Sequence, residues 1–333
     1  MPINPQVPIS IREEVEVGQA RRRAQQIANN AGLNETEAGK SAVIASESAT
    51  NVIKHGGGGE VILREIEHGI EVLALDKGRG MEDVSRCLSD GYSSSGTAGT
   101  GLGAIKRMSS VFDVYSRLQQ GTAMVARLGH EDHHHQHPRF DYGVVCRPKH
   151  GEALCGDGWV EIEHDGSAWI MVADGLGHGP DAHEASSEAV KAFRKMHPKS
   201  TSGCMEMLHG VLRKTRGAAV SVAQIDPQAR QVRFSGVGNV AAAIIDAASA
   251  TRSLISHNGI LGHEVRRIQE FSYPWPHGAK LIMSSDGLAT WHLEKYPGLI
   301  QRHPSIIAGV LYRDYWRQRD DVTVLVAQEA SGK

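Results

Sequence analysis

The alternation of hydrophobic and polar positions predicts a first region that begins with two helices and continues with strands. Residues 14–31 have the helical period, and the capping sequence "NETE" at residues 34–37 opens a second helix. Alternating segments on either side of His68-Gly69 predict a β-hairpin, and those around Gln120-Gly121 predict another. We therefore expect an α+β layer domain over residues 1–128.

The second region, residues 142–333, is richer in strands. Five apolar or alternating segments lie between turn signals, and helical patterns lie near residues 181–196, 203–215 and 304–314. This mixture again predicts a layered α+β domain, with more strand than helix.

A polar stretch, "GHEDHHHQHPRFD" at residues 129–141, separates the two regions and shows no apolar period. Its histidines could bind a transition metal, although ligands on an irregular tract lack a fixed geometry. These histidines are His133, His134, His135 and His137. We predict that the stretch is a linker.

The composition excludes several classes of function. The 36 basic residues nearly balance the 38 acidic ones, which gives no indication of a nucleic-acid or anionic-membrane partner. No apolar run approaches the roughly 20 residues that span a bilayer, and the N-terminus lacks a signal-peptide pattern, so we expect a cytoplasmic protein. The four cysteines show no C-x-x-C spacing, which argues against a disulfide framework or structural zinc.

Aspartates stand where several predicted strands of the second region begin or end. They are Asp157, Asp174, Asp286 and the pair Asp320-Asp321. A single strand-end aspartate is most simply a turn former, but an antiparallel sandwich can bring such a set to one edge. Carboxylates gathered there repel each other and resist desolvation, and Mg²⁺ or Mn²⁺ would relieve the repulsion.

The second region resembles the bacterial metal-dependent protein phosphatases of the SpoIIE-like and RsbX-like type. The resemblance covers about residues 140–330 and rests on "GDGW", "VADGLGHG", "GVGNV", "HNGILG", "SSDGL" and "RDDVTVLV" in that order. It implies an αββα sandwich of the PPM type that holds two Mn²⁺ or Mg²⁺ ions. In that family, a water held by both metals attacks phosphoserine or phosphothreonine.

The same resemblance implies the metal ligands. Asp174 corresponds to the ligand that bridges both ions, and the carbonyl of Gly175 lies beside it. Asp157 corresponds to a ligand of one ion, and Asp286 with Asp320 to ligands of the other. Asp321 falls where related enzymes often have a residue that is not a ligand.

Three further side chains are candidates for handling the phosphate. His178 could protonate the leaving oxygen, because the ordinary pKa of histidine, about 6.5, suits a general acid; a capping or solvent-facing role is the alternative. Arg147 and Lys149 could hold the phosphate, although surface charge is the simpler interpretation of both.

The first region contains three motifs that suit a nucleotide. Glu47 and Asn51 lie four residues apart and therefore share one helical face. Asp76 ends an apolar strand and is followed by Gly78 and Gly80. The glycine-rich "SSSGTAGTGLGAIKRM" leads into a predicted helix that carries Lys106, so its amides can surround phosphates. A Rossmann site requires a preceding strand, which is missing.

These motifs resemble the ATP-binding Bergerat (GHKL) α/β sandwich of gyrase, Hsp90 and histidine kinases. The resemblance covers about residues 7–128 and is strongest to the RsbT-like stressosome switch kinases. It implies that Asn51 holds Mg²⁺ and that Glu47 is the base. Asp76 would bind the adenine amino group, and the lid would consist of Gly99, Gly101 and Gly103.

The two resemblances together imply a bifunctional bacterial switch protein in a stress or sigma-factor pathway. An ATP-dependent serine/threonine kinase and a metal-dependent phosphatase would act on the same class of STAS-domain regulator, with ATP, Mg²⁺ and Mn²⁺ as cofactors. Two alternatives stay open for the first region: a nucleotide-sensing module without kinase activity, or an anti-sigma-factor module that binds a sigma factor. The compact segment before the lid differs from the anti-sigma branch.

Overall fold

A computed structural model describes residues 6–88, 101–129 and 139–330 of the chain. Contacts divide the chain into two compact units, Met1–Gln136 and His137–Lys333. Gly99 and the four histidines of the predicted linker, His133, His134, His135 and His137, lie outside the described residues. The domain bounds and the linker therefore stay predictions.

The first unit is built on a five-stranded antiparallel sheet with the strand order β1-β2-β3-β5-β4. Its strands are β1 (Val7–Ile11), β2 (Gly59–Ile66), β3 (Gly69–Asp76), β4 (Val111–Arg117) and β5 (Gly121–Gly129). Both predicted hairpins are present, as β2–β3 and β4–β5. Strand β1 was not predicted; it is short, contains Pro8, and gains its ladder only by pairing with β2.

Helices cover one face of this sheet. They are α1 (Glu14–Asn30), α2 (Glu35–Gly56), α3 (Val84–Cys87) and α4 (Gly101–Met108). The predicted capping box is present, because the Asn34 side chain accepts from the amide of Glu37 and the Glu37 carboxylate accepts from the amide of Asn34. Small residues of α1 and α2 let the helices pack closely on Val61, Leu63 and Val72 of the sheet.

The second unit contains two five-stranded antiparallel sheets, with the orders β13-β10-β9-β8-β7 and β12-β11-β14-β15-β6. The strands of the first of these sheets are β7 (Asp157–His164), β8 (Ser167–Gly175), β9 (Ala218–Asp226), β10 (Gln231–Val237) and β13 (Phe271–Pro274). Those of the second are β6 (Phe140–Arg147), β11 (Ala241–Ile245), β12 (Thr251–Ser253), β14 (Lys280–Ser284) and β15 (Val322–Glu329). Strand β6 starts at Phe140, inside the stretch assigned to the linker, because Phe140 is buried and pairs with Glu329.

Helices lie on the outer faces of both sheets. Helices α5 (Pro180–Arg194) and α6 (Thr201–Leu212) pack on the β7–β10 side, and α7 (Pro304–Tyr315) packs on β6 and β15. Two 3₁₀ turns, Leu293–Lys295 and Leu299–Gln301, precede α7. The result is the predicted αββα sandwich. Across the described ranges, we find no helix whose length and hydropathy would let it cross a membrane.

Candidate active sites

Antiparallel pairing brings the strand-end aspartates of the second unit to one edge. Asp157 and Asp174 are directly opposed in the β7–β8 ladder. Asp286 follows β14 and Asp320 precedes β15, and these two strands are neighbours that run in opposite directions. Asp174, Asp286 and Asp320 line one cavity of about 540 Å³.

A hydrogen bond connects the two sheets at this edge. The hydroxyl of Ser285 donates to Oδ2 of Asp157 over 2.6 Å, while the other oxygen, Oδ1, is buried and has no hydrogen-bond partner among the described residues. Across the cavity, the Asn239 amide donates to Oδ2 of Asp286 over 2.5 Å. Ser285 lies in the motif "SSDGL" and Asn239 in "GVGNV", but neither motif predicts a role for these two residues.

The carboxylates destabilise one another as anions. Burial first, and then the charges of Asp157 and Asp286, raise the pKa of Asp174 to about 9. Burial also raises the pKa of Asp157 to about 7, against the opposing effect of the Ser285 hydroxyl. The pKa of Asp286 is raised as well, first by burial and then by Asp320. A site that favours protonated acids in the absence of cations is one that divalent cations would stabilise.

The donor set fits hard divalent ions. Among the described residues, no three His, Cys, Asp or Glu side chains form a group that could hold an ion by themselves. Mg²⁺ commonly keeps several waters and takes one or two carboxylates, so carboxylates spaced around a cavity suit it. The side chains that would hold the ions are Asp157, Asp174, Asp286 and Asp320. Asp321 is differently engaged, because its Oδ1 accepts from the Lys149 amide over 2.8 Å.

Only glycine fits at position 175, next to the start of α5. A side chain at this position would collide with the backbone of Ala182 at the start of α5. The residue that follows Asp174 therefore stays small, and the strand end can lie directly against the helix. The role of the Gly175 carbonyl as a metal ligand, which the family resemblance implies, stays a prediction.

The charged and titratable side chains near the cavity differ in solvent exposure and in hydrogen-bond partners. His178 lines the cavity, is about half exposed, and its Nδ1 lies 2.9 Å from Oε1 of Glu152. Arg319 also lines the cavity and is exposed, which makes it a better placed phosphate contact than Arg147 or Lys149. Neither of those two residues is among the described residues that line the cavity. Glu152 and Arg319 carried no sequence signal of their own.

The metal-free second unit is expected to lose stability as the pH rises. The pKa of Asp174 is about 9 when folded against about 4 when unfolded, so between these values the folded state holds a proton that the unfolded state has lost. The protonated carboxyl therefore contributes its full stabilisation below about pH 4. As the pH rises from there to about 9, the free energy of unfolding falls by up to about 1.4 kcal/mol per pH unit. The measurement is thermal unfolding in EDTA from pH 6 to pH 9.

The control for this prediction is Asp174→Asn, which cannot titrate. Its stability relative to the wild type should grow as the pH rises, and added Mn²⁺ should stabilise the wild type most at high pH. A difference between the two proteins that stays constant from pH 6 to pH 9 would contradict the assignment of the raised pKa.

In the first unit, the helix face that carries Glu47 and Asn51 meets the start of α4. A Cβ atom built on Gly101 would lie within van der Waals reach of the Glu47 carboxylate and the Asn51 amide. Gly103, two residues later, is buried, and Lys106 is exposed in the last turn. The structure thus brings together two of the three predicted motifs, with a helix N-terminus beside a carboxylate and an amide.

Asp76 is held at the end of β3 by backbone donors. Its Oδ1 accepts from the amide of Gly78 over 2.8 Å and from the amide of Thr122 over 3.2 Å. The Thr122 contact was not predicted. A side chain at Gly78 would strike the carbonyl oxygen of His55, and Gly80 has a φ of 67° and touches the backbone of Arg117. Both glycines are therefore needed for local packing.

Comparisons with known proteins agree with this division of the chain. Residues 10–128 match the model of the histidine kinase-like ATPase domain, and residues 164–329 match that of stage II sporulation protein E (SpoIIE). The serine/threonine-protein kinase RsbT of Bacillus subtilis (strain 168) is 27% identical over 128 residues, which cover 37% of this chain and 96% of RsbT.

Two further relatives match the second half of the chain. The phosphoserine phosphatase RsbX of Bacillus subtilis (strain 168) is 24% identical over 182 residues, or 54% of this chain and 90% of RsbX. A solved structure of RsbX in complex with magnesium superimposes with a TM-score of 0.50 and 21% identity, covering 59% of this chain and 98% of that structure. At this identity the superposition establishes a shared fold.

Proposed function

We propose that this chain, which joins a histidine kinase-like ATPase domain to a SpoIIE-type metal-dependent phosphatase domain, is a bifunctional switch protein. The phosphatase domain removes phosphate from phosphoserine or phosphothreonine of a STAS-domain regulator. The kinase domain transfers the γ-phosphoryl group of ATP to the same class of regulator. The observation that carries the proposal is the convergence of Asp174, Asp286 and Asp320 on one cavity.

The carboxylate edge supports the phosphatase half. When bound there, two divalent ions supply a water of lowered pKa and neutralise charge on the transferring phosphoryl group. Asp157 and Asp174 would orient the ions from one sheet, and Asp286 with Asp320 from the other. Arg319 and His178 line the same cavity, where Arg319 would attract the phosphate and His178 would give a proton to the leaving oxygen.

The arrangement around α2 supports the kinase half. Phosphoryl transfer needs mainly an aligned acceptor hydroxyl and balanced charge. Asn51 would hold Mg²⁺ against the phosphates, and Glu47 would accept the proton of the acceptor hydroxyl. Gly101 at the α4 N-terminus lies against both, so phosphates bound there would face the helix amides.

The proposal is tested by mixing the chain with candidate STAS-domain proteins, ATP, Mg²⁺ and Mn²⁺. We expect the partner to gain phosphate at serine or threonine, and to lose it again after ATP is removed. ATP binding without transfer would instead favour the nucleotide-sensing module. A stable complex with a sigma factor would favour the anti-sigma alternative, and the absence of any dephosphorylation in the presence of Mn²⁺ would contradict the phosphatase half.

His178→Ala is expected to slow dephosphorylation of a phosphoserine peptide by about 10²–10⁴-fold, because the serine oxygen must be protonated as it leaves. The same change should have little effect on p-nitrophenyl phosphate, whose leaving group departs without a proton. Steady-state rates on both substrates measure the contrast. His150→Ala, on the exposed loop that follows β6, is the control and should behave as the wild type. Equal losses on both substrates would contradict the role of a general acid.

A further inference from the structure

Two of the four cysteines lie together beside the carboxylate edge. Cys146 is in β6, and Cys155 lies two residues before Asp157. Their Sγ atoms are 3.6 Å apart, both residues are half-buried, and neither forms a disulfide. The eight residues between them hide this contact in the sequence. The other two cysteines are elsewhere, Cys204 buried in α6 and Cys87 in the first unit.

Both thiols are attached to well-defined backbone. Cys146 is opposite Thr323 in the β6–β15 ladder. The carbonyl oxygen of Cys155 accepts from Nδ1 of His183 in α5 over 2.8 Å. A strand ladder on one side and a helix on the other therefore position the pair. The fold itself brings the two thiols into contact.

We propose that Cys146 and Cys155 are a modification site. Peroxides oxidise the two thiols to a reversible disulfide, and this disulfide weakens metal binding at Asp157. Peroxide oxidises one thiol to a sulfenic acid and releases a water. The second thiol attacks that sulfur, and the S–S bond forms as a second water leaves. A dithiol reductant returns the pair to two thiols and becomes a disulfide itself.

Closing the bond would draw together β6 and the segment that leads into β7, next to the carboxylate edge. A disulfide bond is about 2.05 Å long, so the two sulfurs must approach by more than 1 Å from their contact distance. The segment between the cysteines carries Glu152, the partner of His178, and the Lys149 amide that binds Asp321. Immediately after Cys155, the carbonyl of Gly156 accepts from the amide of Gly175.

The consequence for metal binding rests on the proposed function, whereas formation of the disulfide does not. Displacement of the groups that orient metal ligands commonly weakens metal binding by about 10–100-fold. We therefore expect oxidation to weaken Mn²⁺ binding by about tenfold or more.

The experiment treats the 333-residue chain with hydrogen peroxide and then maps its peptides by mass spectrometry without reduction. We expect a peptide that joins Cys146 to Cys155 and disappears with dithiothreitol. Mn²⁺ binding is measured by calorimetry on the reduced, oxidised and re-reduced protein. Cys146→Ser and Cys155→Ser should retain tight Mn²⁺ binding after peroxide, while the control Cys87→Ser should lose it as the wild type does.

Two results would overturn the proposal. One is the absence of the Cys146–Cys155 peptide after oxidation, and the other is a change in Mn²⁺ affinity below twofold when that peptide is present. Reduced protein that binds no Mn²⁺ would contradict both the proposed function and the metal part of this proposal. The peptide map would then still decide separately whether the disulfide forms.

Discussion

Asp174→Asn is expected to lower the rate of phosphoserine dephosphorylation by about a thousandfold or more, and to leave ATP binding unchanged. Asp174 lines the cavity between the two sheets and directly opposes Asp157 across the β7–β8 ladder. A neutral amide there would remove the charge that we propose holds both ions. Loss of several kcal/mol of transition-state stabilisation corresponds to this factor in rate. Steady-state kinetics with a phosphoserine peptide and saturating Mn²⁺ measure it.

The matched control is Asp165→Asn, at the opposite end of the same hairpin. Asp165 is exposed in the β7–β8 turn with a φ of 50°, a conformation that asparagine also accepts. It should keep wild-type phosphatase activity. If Asp174→Asn retained more than a tenth of the wild-type rate, the carboxylate edge would not be the catalytic centre. If it also abolished ATP binding, the assignment of one activity to each unit would be wrong.

The elements of the fold could be predicted largely from local signals. The capping box at Asn34 and Glu37, and the hairpin turn at Gln120-Gly121, depend on neighbouring residues only, and both are confirmed. Strand β1 could not be found in this way. Its five residues include a proline, and Ile9 and Ile11 become strand residues because they pack under the helices while pairing with β2.

The candidate sites show the same difference between local signals and long-range contacts. Aspartates at strand ends are visible in the sequence because an apolar run stops on a charge, and the αββα fold that the family resemblance implied is present. Contacts between segments that are far apart in the sequence produce no such local pattern. The Ser285 hydroxyl on Asp157, the Asn239 amide on Asp286 and the two thiols all join residues separated by turns or whole strands. The roles assigned to individual residues stay predictions that only variants can test.

Kinase and phosphatase activities in one chain would cycle ATP without a net effect unless they are regulated. We expect a non-hydrolysable ATP analogue to change the phosphatase rate, because the nucleotide would contact the glycine-rich lid. The residues of this lid that the structure describes, Gly101 to Gly103 at the start of α4, lie against α2. The measurement is the rate of peptide dephosphorylation at saturating Mn²⁺ with and without the analogue. An unchanged rate would count against regulation by nucleotide.

Glu47→Gln is expected to lower phosphoryl transfer to a STAS-domain partner by about 10²–10⁴-fold, while the affinity for ATP changes by less than about threefold. Glu47 lies on the face of α2 that meets Gly101, one helical turn before Asn51. Glutamine preserves size and hydrogen bonding but cannot accept the proton of the acceptor hydroxyl, and general-base catalysis is worth this factor. Transfer of radiolabelled γ-phosphate measures the rate, and calorimetry measures the affinity.

Glu35→Gln is the matched control, because Glu35 is exposed in the first turn of the same helix and far along it from Gly101. It should transfer phosphate at the wild-type rate, and both variants should dephosphorylate peptides normally. Unimpaired transfer by Glu47→Gln would show that another group accepts the proton. If the wild type itself binds ATP but transfers nothing, the carboxylate has no substrate hydroxyl to act on, and the first unit is a nucleotide sensor for the phosphatase that follows it.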